Sequence, residues 1–237
     1  MAKLTADSIR MENGVEIREK IIPDSARASK DVAEWCKKGQ PMKPLKAMRP
    51  VAVTIHNTTD LPGVEDAGEQ YTRATWPNCN MGGVVVHYYV DDTGAWQNLR
   101  EEEQGWHAGD GAGEGNAATV AIEIIMDGSG SGADKKAEDN GARLAAAVLR
   151  RWGLTAKELH SHYYYSPVKK NCPVYIRPHW ETFAAAVAGY MEQAEKEPAA
   201  SVFRVQVGAF RRREYAEAQL QKLLAAGFPA YIKEEKA

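Results

Sequence analysis

Four residues of this chain, His56, His160, His162 and Cys172, are of types that could together hold a metal ion. One imidazole at a strand end, a second in a distant loop and a thiolate ten or twelve positions later make an N₂S set, one ligand short of a zinc tetrahedron. Such an open fourth position suits catalysis, because zinc lowers the pKa of bound water toward ~7 and provides hydroxide at neutral pH. A carboxylate accompanies the set: Glu123 sits among Val120, Ile122, Ile124 and Ile125. An ionised carboxylate in an apolar strand is costly unless it is paired, next to a metal or facing a cleft, which makes Glu123 a candidate general base. Lys170, two positions before Cys172, offers a cation for a developing oxyanion. Singly, a strand histidine is more often structural and a lone cysteine is usually core; the case rests on the combination.

Certain elements must position these groups. VAVTIHNTT (51–59) reads as a buried strand whose last residues, His56 among them, emerge at a sheet edge. GVVVHYYVDDTGAWQNL (83–99) is two β-rich runs around Asp-Asp-Thr-Gly, a hairpin signal, with His87 and Tyr88 on opposite faces of its first strand. ATVAIEIIM (118–126) is a third strand, and the glycine-rich GWHAGDGAGEGN before it could fold over a pocket. Helices are expected over 134–152, stopped by Gly153, and over 178–195, with Pro178 near the start. Alternating strands and helices indicate an α/β domain. Residues 1–48 read as an N-terminal arm belonging to that domain: VEIREKIIP as a strand or arm, 31–38 as a short helix packing Cys36. The catalytic domain covers 49–195 and EKEPAA (196–201 with its flanks) is a linker. Over 202–237 the pattern is strand (203–210), helix (212–227), strand (229–235), a β-α-β unit too small to hold a core alone without pairing.

Composition excludes several alternatives. With 237 residues, 44% hydrophobic and 26% charged, the chain is neither disordered, collagen-like nor a disulfide scaffold. Thirty basic against 32 acidic residues, a net charge of −2, carry no electrostatic footprint of a nucleic-acid binder. Three cysteines, an odd number, suggest ligands or core residues rather than bridges. No apolar run reaches the ~18–20 residues of a membrane span, and MAKLTADSIRMENGVEIREK lacks the apolar stretch of a secretory signal. Cytoplasmic synthesis is expected, with release by lysis or another export route.

The strings VTIHNT, GGVVVHYYVDDTGAW, GWHAGDG, TVAIEI and KKNCP, in this order over about 50–180, closely resemble the zinc-dependent N-acetylmuramoyl-L-alanine amidases of the amidase-2 class. That class includes phage lysozyme-like amidases and is related to peptidoglycan-recognition proteins. The resemblance implies a central mixed β-sheet flanked by helices, a Zn²⁺ cofactor and hydrolysis of the amide joining N-acetylmuramic acid to L-alanine. It maps the zinc ligands onto His56, His160 and Cys172, the acid/base onto Glu123 and the cation onto Lys170. Relatives commonly show H-x-x-W-S-G-K-x-C-P, whereas HSHYYYSPVKKNCP is longer. His160 is favoured because Tyr163 then takes the place of the aromatic three residues on; His162 is the alternative. Trp106 and His107 of GWHAG, and His87, resemble substrate-cleft positions.

FRVQVGAFRRREYAEAQLQKLLAAGFPAYI resembles the first half of a SPOR domain, a peptidoglycan-binding module that grips glycan strands stripped of peptide. Members repeat the β-α-β unit, so two chains could each supply half, and a docking tail is the bland counterpart. The expected partner is therefore peptidoglycan of the cell wall, with neither nucleic acid nor a membrane span. Two other functions compete: a peptidoglycan binder without catalysis, which the retained Cys172 opposes, and a cysteine hydrolase pairing Cys172 with His160, which would survive chelators.

Overall fold

A computed structural model describes residues 3–29, 31, 36–59, 66–78, 80–81, 83–196, 207–227 and 232. The chain divides into two compact units, Met1–Lys196 and Glu197–Ala237.

The first unit is built on a seven-stranded mixed sheet of order β1-β2-β5-β4-β6-β3-β7. Strands β1 (Ser8–Glu12) and β2 (Val15–Glu19) form an antiparallel hairpin. Its two-residue turn, Asn13-Gly14, holds both residues at positive φ, 47° and 78°, a backbone for which Asn and Gly are the least strained residues. This Asn-Gly signal lies inside the segment read as an arm, and β2 pairs parallel with β5, so the arm extends the central sheet. Strand β3 (Ala52–Thr58) is followed by helix α1 (Ala67–Thr75), an element the sequence reading did not anticipate. Strands β4 (Tyr88–Asp91) and β5 (Gly94–Gln97) form the expected hairpin around Asp92-Thr93. A short helix α2 (Glu114–Ala118) leads directly into β6 (Thr119–Ile125).

Helix α3 (Gly132–Arg151) begins at Ser131, whose hydroxyl accepts from the Asp134 amide, and stops before Gly153 at φ +67°. Strand β7 (Leu159–Ser161) and the turn of helix α4 (His162–Tyr165) occupy a stretch read as loop. Helix α5 (Trp180–Lys196) closes the unit. The expected helix over 31–38 falls largely on residues outside the described set, but Cys36 is buried as anticipated, against Ile22, Met42 and Leu99.

Strand alternation divides the side chains between two layers. Val53, Ile55, Tyr88, Ile122 and Ile124 pack with Leu144, Val148, Phe183 and Val187 of α3 and α5. Tyr89, Ala121 and Ile125 point the other way, toward Tyr71 of α1. At the rim of the α3 layer, buried Glu101 accepts from Tyr88 Oη at 2.7 Å and Trp152 Nε1 at 2.6 Å, and pairs with Arg151.

In the second unit helix α6 (Arg213–Ala225) lies where a helix was expected. Of the strands expected around it, 203–206 and nearly all of 229–235 lie outside the described residues, and 207–210 are irregular.

Because Glu101 satisfies three groups at once, Glu101→Leu leaves a tyrosine hydroxyl and an indole N–H without their acceptor and the Arg151 guanidinium with Glu12 alone. We expect a loss of about 3–5 kcal/mol in unfolding free energy, read from the urea midpoint.

Candidate active site

Strands β3 and β6 run parallel in a register that places His56 opposite Glu123. Both follow the parity that faces away from the α3 layer, so the imidazole and the carboxylate meet near the carboxyl ends of the two strands. His56 Nδ1 lies 3.9 Å from Glu123 Oε2 and 3.8 Å from Cys172 Sγ. One donor atom each from His56, His162 and Cys172 falls within a span of 4.8 Å, and all three residues are buried.

The structure brings His162, not His160, into this group. Strand β7 pairs with β3 in the register Thr54↔His160 and Ile55↔Ser161. His160 is thus level with Thr54, two residues or roughly 6–7 Å short of His56 along the strand, whereas His162 follows at the strand end. The His160 ring instead stacks on Tyr164, centroids 4.2 Å apart at 10°. The histidine that joins His56 and Cys172 is thus the alternative of the two, not the one that counting from the tyrosine favours. Tyr163 closes that loop through its amide, which donates to the Cys172 carbonyl at 2.9 Å.

The proton position on His162 follows from its partner. The Ala108 carbonyl can only accept, so His162 donates to it from Nε2 at 3.0 Å. His162 Nδ1 then carries a lone pair and is buried with no hydrogen-bond partner among the described residues. His56 Nε2 lies 3.1 Å from His107 Nδ1, which leaves His56 Nδ1 turned toward Cys172 and Glu123. Burial holds His56 well below the ordinary imidazole pKa, with His107, His162 and Lys170 adding to it, and burial also lowers His162. Neutral imidazoles whose free nitrogens gather beside a thiol, that of His162 with its lone pair, suit a cation such as zinc. The second nitrogen of each ring is hydrogen-bonded elsewhere, as ligating histidines require.

Burial raises Glu123 to about 7 against the opposing pull of Lys170. Burial and then the Glu123 carboxylate push the Cys172 thiol up to about 11, against smaller opposing pulls from Asn57, Lys170 and Arg177, and a cation at this point would favour its thiolate. Lys170 is exposed and lines, with Trp106, His107 and His162, a cavity of about 290 Å³. His87, expected at the cleft wall, is fully buried: Nε2 donates to the Glu103 carbonyl at 2.8 Å and Nδ1 accepts from the Ala121 amide at 3.0 Å. With both nitrogens used by backbone it cannot contact substrate, and its role is to tie β4 to β6. His107 lines the cavity but its nearest partner is His56.

The N-acetylmuramoyl-L-alanine amidase family, Amidase_2, matches residues 46–175, which include the whole cluster. The chain belongs to this family. A SPOR domain matches residues 199–237. N-acetylmuramoyl-L-alanine amidase XlyA of Bacillus subtilis (strain 168) is 33% identical over 147 residues, 62% of this chain and 47% of XlyA. N-acetylmuramoyl-L-alanine amidase CwlH of the same organism is 31% identical over 147 residues, 62% of this chain and 56% of CwlH. The chain thus spans about half the length of the curated relatives it matches. Among solved structures, the catalytic domain of XlyA superposes with a TM-score of 0.58 at 28% identity, covering 72% of this chain and 98% of that one. PlyL gives 0.57 at 25% identity, covering 72% and 96%. The amidase-2 fold expected from the motif order is therefore the fold observed.

Three groups of this amidase-family site escaped the sequence reading: His162 as first choice, the Ala108 carbonyl and Asn57. Asn57 follows His56, and its Oδ1 accepts from the Tyr175 amide at 3.1 Å while Nδ2 donates to the Ile124 carbonyl at 3.0 Å. It pins the chain just after Cys172 onto β3 and β6. A polar residue at the end of an apolar strand was the available signal.

Buried His87 also sets a pH dependence. Burial lowers its pKa from 6.5 to about 4, so as pH falls the unfolded chain takes up the proton first. The stability it contributes is complete above about pH 6.5 and is lost on descending toward pH 4, by roughly 3 kcal/mol. His87→Gln, which retains a donor and an acceptor but does not titrate, should show a correspondingly flatter fall of the urea midpoint between pH 7 and pH 4. Parallel profiles for the two proteins would contradict the assignment.

Proposed function

We propose that this chain hydrolyses the amide between N-acetylmuramic acid and L-alanine in peptidoglycan, using zinc held by His56, His162 and Cys172. The observation that carries the reading is the buried convergence of these three donor groups beside Glu123, with His162 Nδ1 lacking a hydrogen-bond partner among the described residues. When bound, zinc would supply Lewis acidity toward the scissile carbonyl and bring the pKa of water toward ~7.

The remaining work falls to side chains of the protein. Glu123, raised to about 7 by burial, can take a proton from the attacking water and return it to the leaving alanine nitrogen. Lys170, at the mouth of the cavity, faces the developing oxyanion with its ammonium. Trp106 and His107 form the wall against which the substrate is positioned. A cysteine nucleophile fits less well, since the Cys172 thiol is pushed up to about 11 and His160 is not beside it. Residues 199–237, matched by the SPOR domain, are proposed to hold the enzyme on glycan strands of the cell wall, its site of action.

Metal analysis separates the two histidines: His162→Ala should lose bound zinc and cell-wall hydrolysis together, while His160→Ala should keep zinc and most activity. Retention of zinc by the His162 variant and its loss from the His160 variant would reverse the ligand assignment.

Glu123→Gln should retain zinc and its melting temperature while kcat falls by about 10²–10⁴-fold. The measurement is release of N-terminal alanine from purified sacculi, and a wild-type rate would remove Glu123 from the mechanism.

A further inference from the structure

The loop between β5 and β6 reaches the proposed ligands twice from adjacent residues. His107 meets His56 Nε2 through Nδ1 at 3.1 Å, and the carbonyl of Ala108 accepts from His162 Nε2 at 3.0 Å. The orientation of both imidazoles therefore depends on where residues 107 and 108 are held.

They are held by one side chain. Asn116 Oδ1 accepts from the His107 amide at 2.7 Å and from the Ala108 amide at 2.8 Å. Two backbone donors converging on one atom require an oxygen there, which settles the orientation of the amide group. Its Nδ2 then donates to the Gly111 carbonyl at 3.0 Å, so the side chain is satisfied at both ends while buried. Asp110 braces the same loop, its carboxylate accepting from the Gly115 amide at 2.8 Å and the Asn116 amide at 3.2 Å. The glycines of this segment adapt to that path: Gly109 and Gly111 lie at φ +68° and +66°. A loop that needs left-handed backbone at two positions has little intrinsic preference for one conformation, and Asn116 supplies the constraint.

We infer that Asn116 is a positioning residue for the metal centre, aligning both ligand histidines at once by fixing the backbone of His107 and Ala108. It touches neither a ligand ring nor the cavity, and it acts through the second nitrogen of each ring, where outer partners set tautomer and ring orientation. The inference rests on the reading of His56 and His162 as ligands.

Zinc affinity of the full chain, measured by competition with a chromophoric chelator, tests it. Asn116→Ala should bind zinc about 10–100-fold more weakly than wild type. Asn116→Asp, which keeps an acceptor for both amides, should recover most of that loss. Glu101→Leu, destabilising through its partners Tyr88, Arg151 and Trp152 rather than through residues 107–116, should bind zinc as wild type does, which separates positioning from a general loss of stability. In the metal-free protein, nitrogen chemical shifts of the imidazoles should report protonated Nε2 on His56 and His162 in wild type and a mixture of tautomers in Asn116→Ala. Wild-type affinity and unchanged tautomers in Asn116→Ala overturn the inference while leaving the ligand reading intact, and so does an equal weakening in Asn116→Ala and Glu101→Leu. Zinc retained by a His56→Ala, His162→Ala double variant overturns the ligand reading, and the inference with it.

Discussion

The parallel pairing of β3 with β6 is the constraint on which the site depends. In a parallel ladder every residue has a defined opposite number, and a slip of one position sends the whole alternating set to the other face. Val53, Ile55, Ile122 and Ile124 have to reach the α3 layer, and that demand alone forces His56 and Glu123 to the opposite side. A slip of one position would turn both apolar sets out of the core, and among the registers that keep them inside, the observed one sets the acid opposite the first imidazole. Stability and chemistry are thus set by one and the same alignment.

Burial is the second physical theme. Removing His56, His87 and His107 from water disfavours their charged forms, so the rings remain neutral and must be satisfied as neutral donors and acceptors. His87 finds both partners in backbone and becomes purely structural. His162 finds only one, and the nitrogen left over points to the place where Cys172 and His56 also converge. His107 also keeps a buried nitrogen without a partner among the described residues, so what sets His162 apart is that its free nitrogen lies with Cys172 and His56.

Much of the architecture was legible in the sequence. Continuous β-branched runs flanked by polar residues marked β3 and β6, Asp-Asp-Thr-Gly marked the β4–β5 hairpin, and helical periodicity ending at Gly153 marked α3. Missed elements were short or weakly patterned: α1 has few apolar residues, β7 has three residues, and the Asn13-Gly14 turn was passed over inside a charged segment. His87 was misjudged because nothing in a linear string tells a histidine that bridges two strands from one that lines a cleft.

The sequence by itself determined the inventory of chemistry: two candidate imidazoles near a thiol, a carboxylate too expensive to bury without purpose, and a cation beside them, in the motif order of one family. It could not decide between His160 and His162, since an insertion can be placed on either side of a residue when only spacing is known. The tertiary structure shows which of them joins His56 and Cys172: the β3–β7 register leaves His160 level with Thr54 and stacked on Tyr164, while His162 reaches the strand end and the cluster. Local propensity specifies which side chains share a face, but only the pairing of strands distant in the chain specifies how far along that face each one sits.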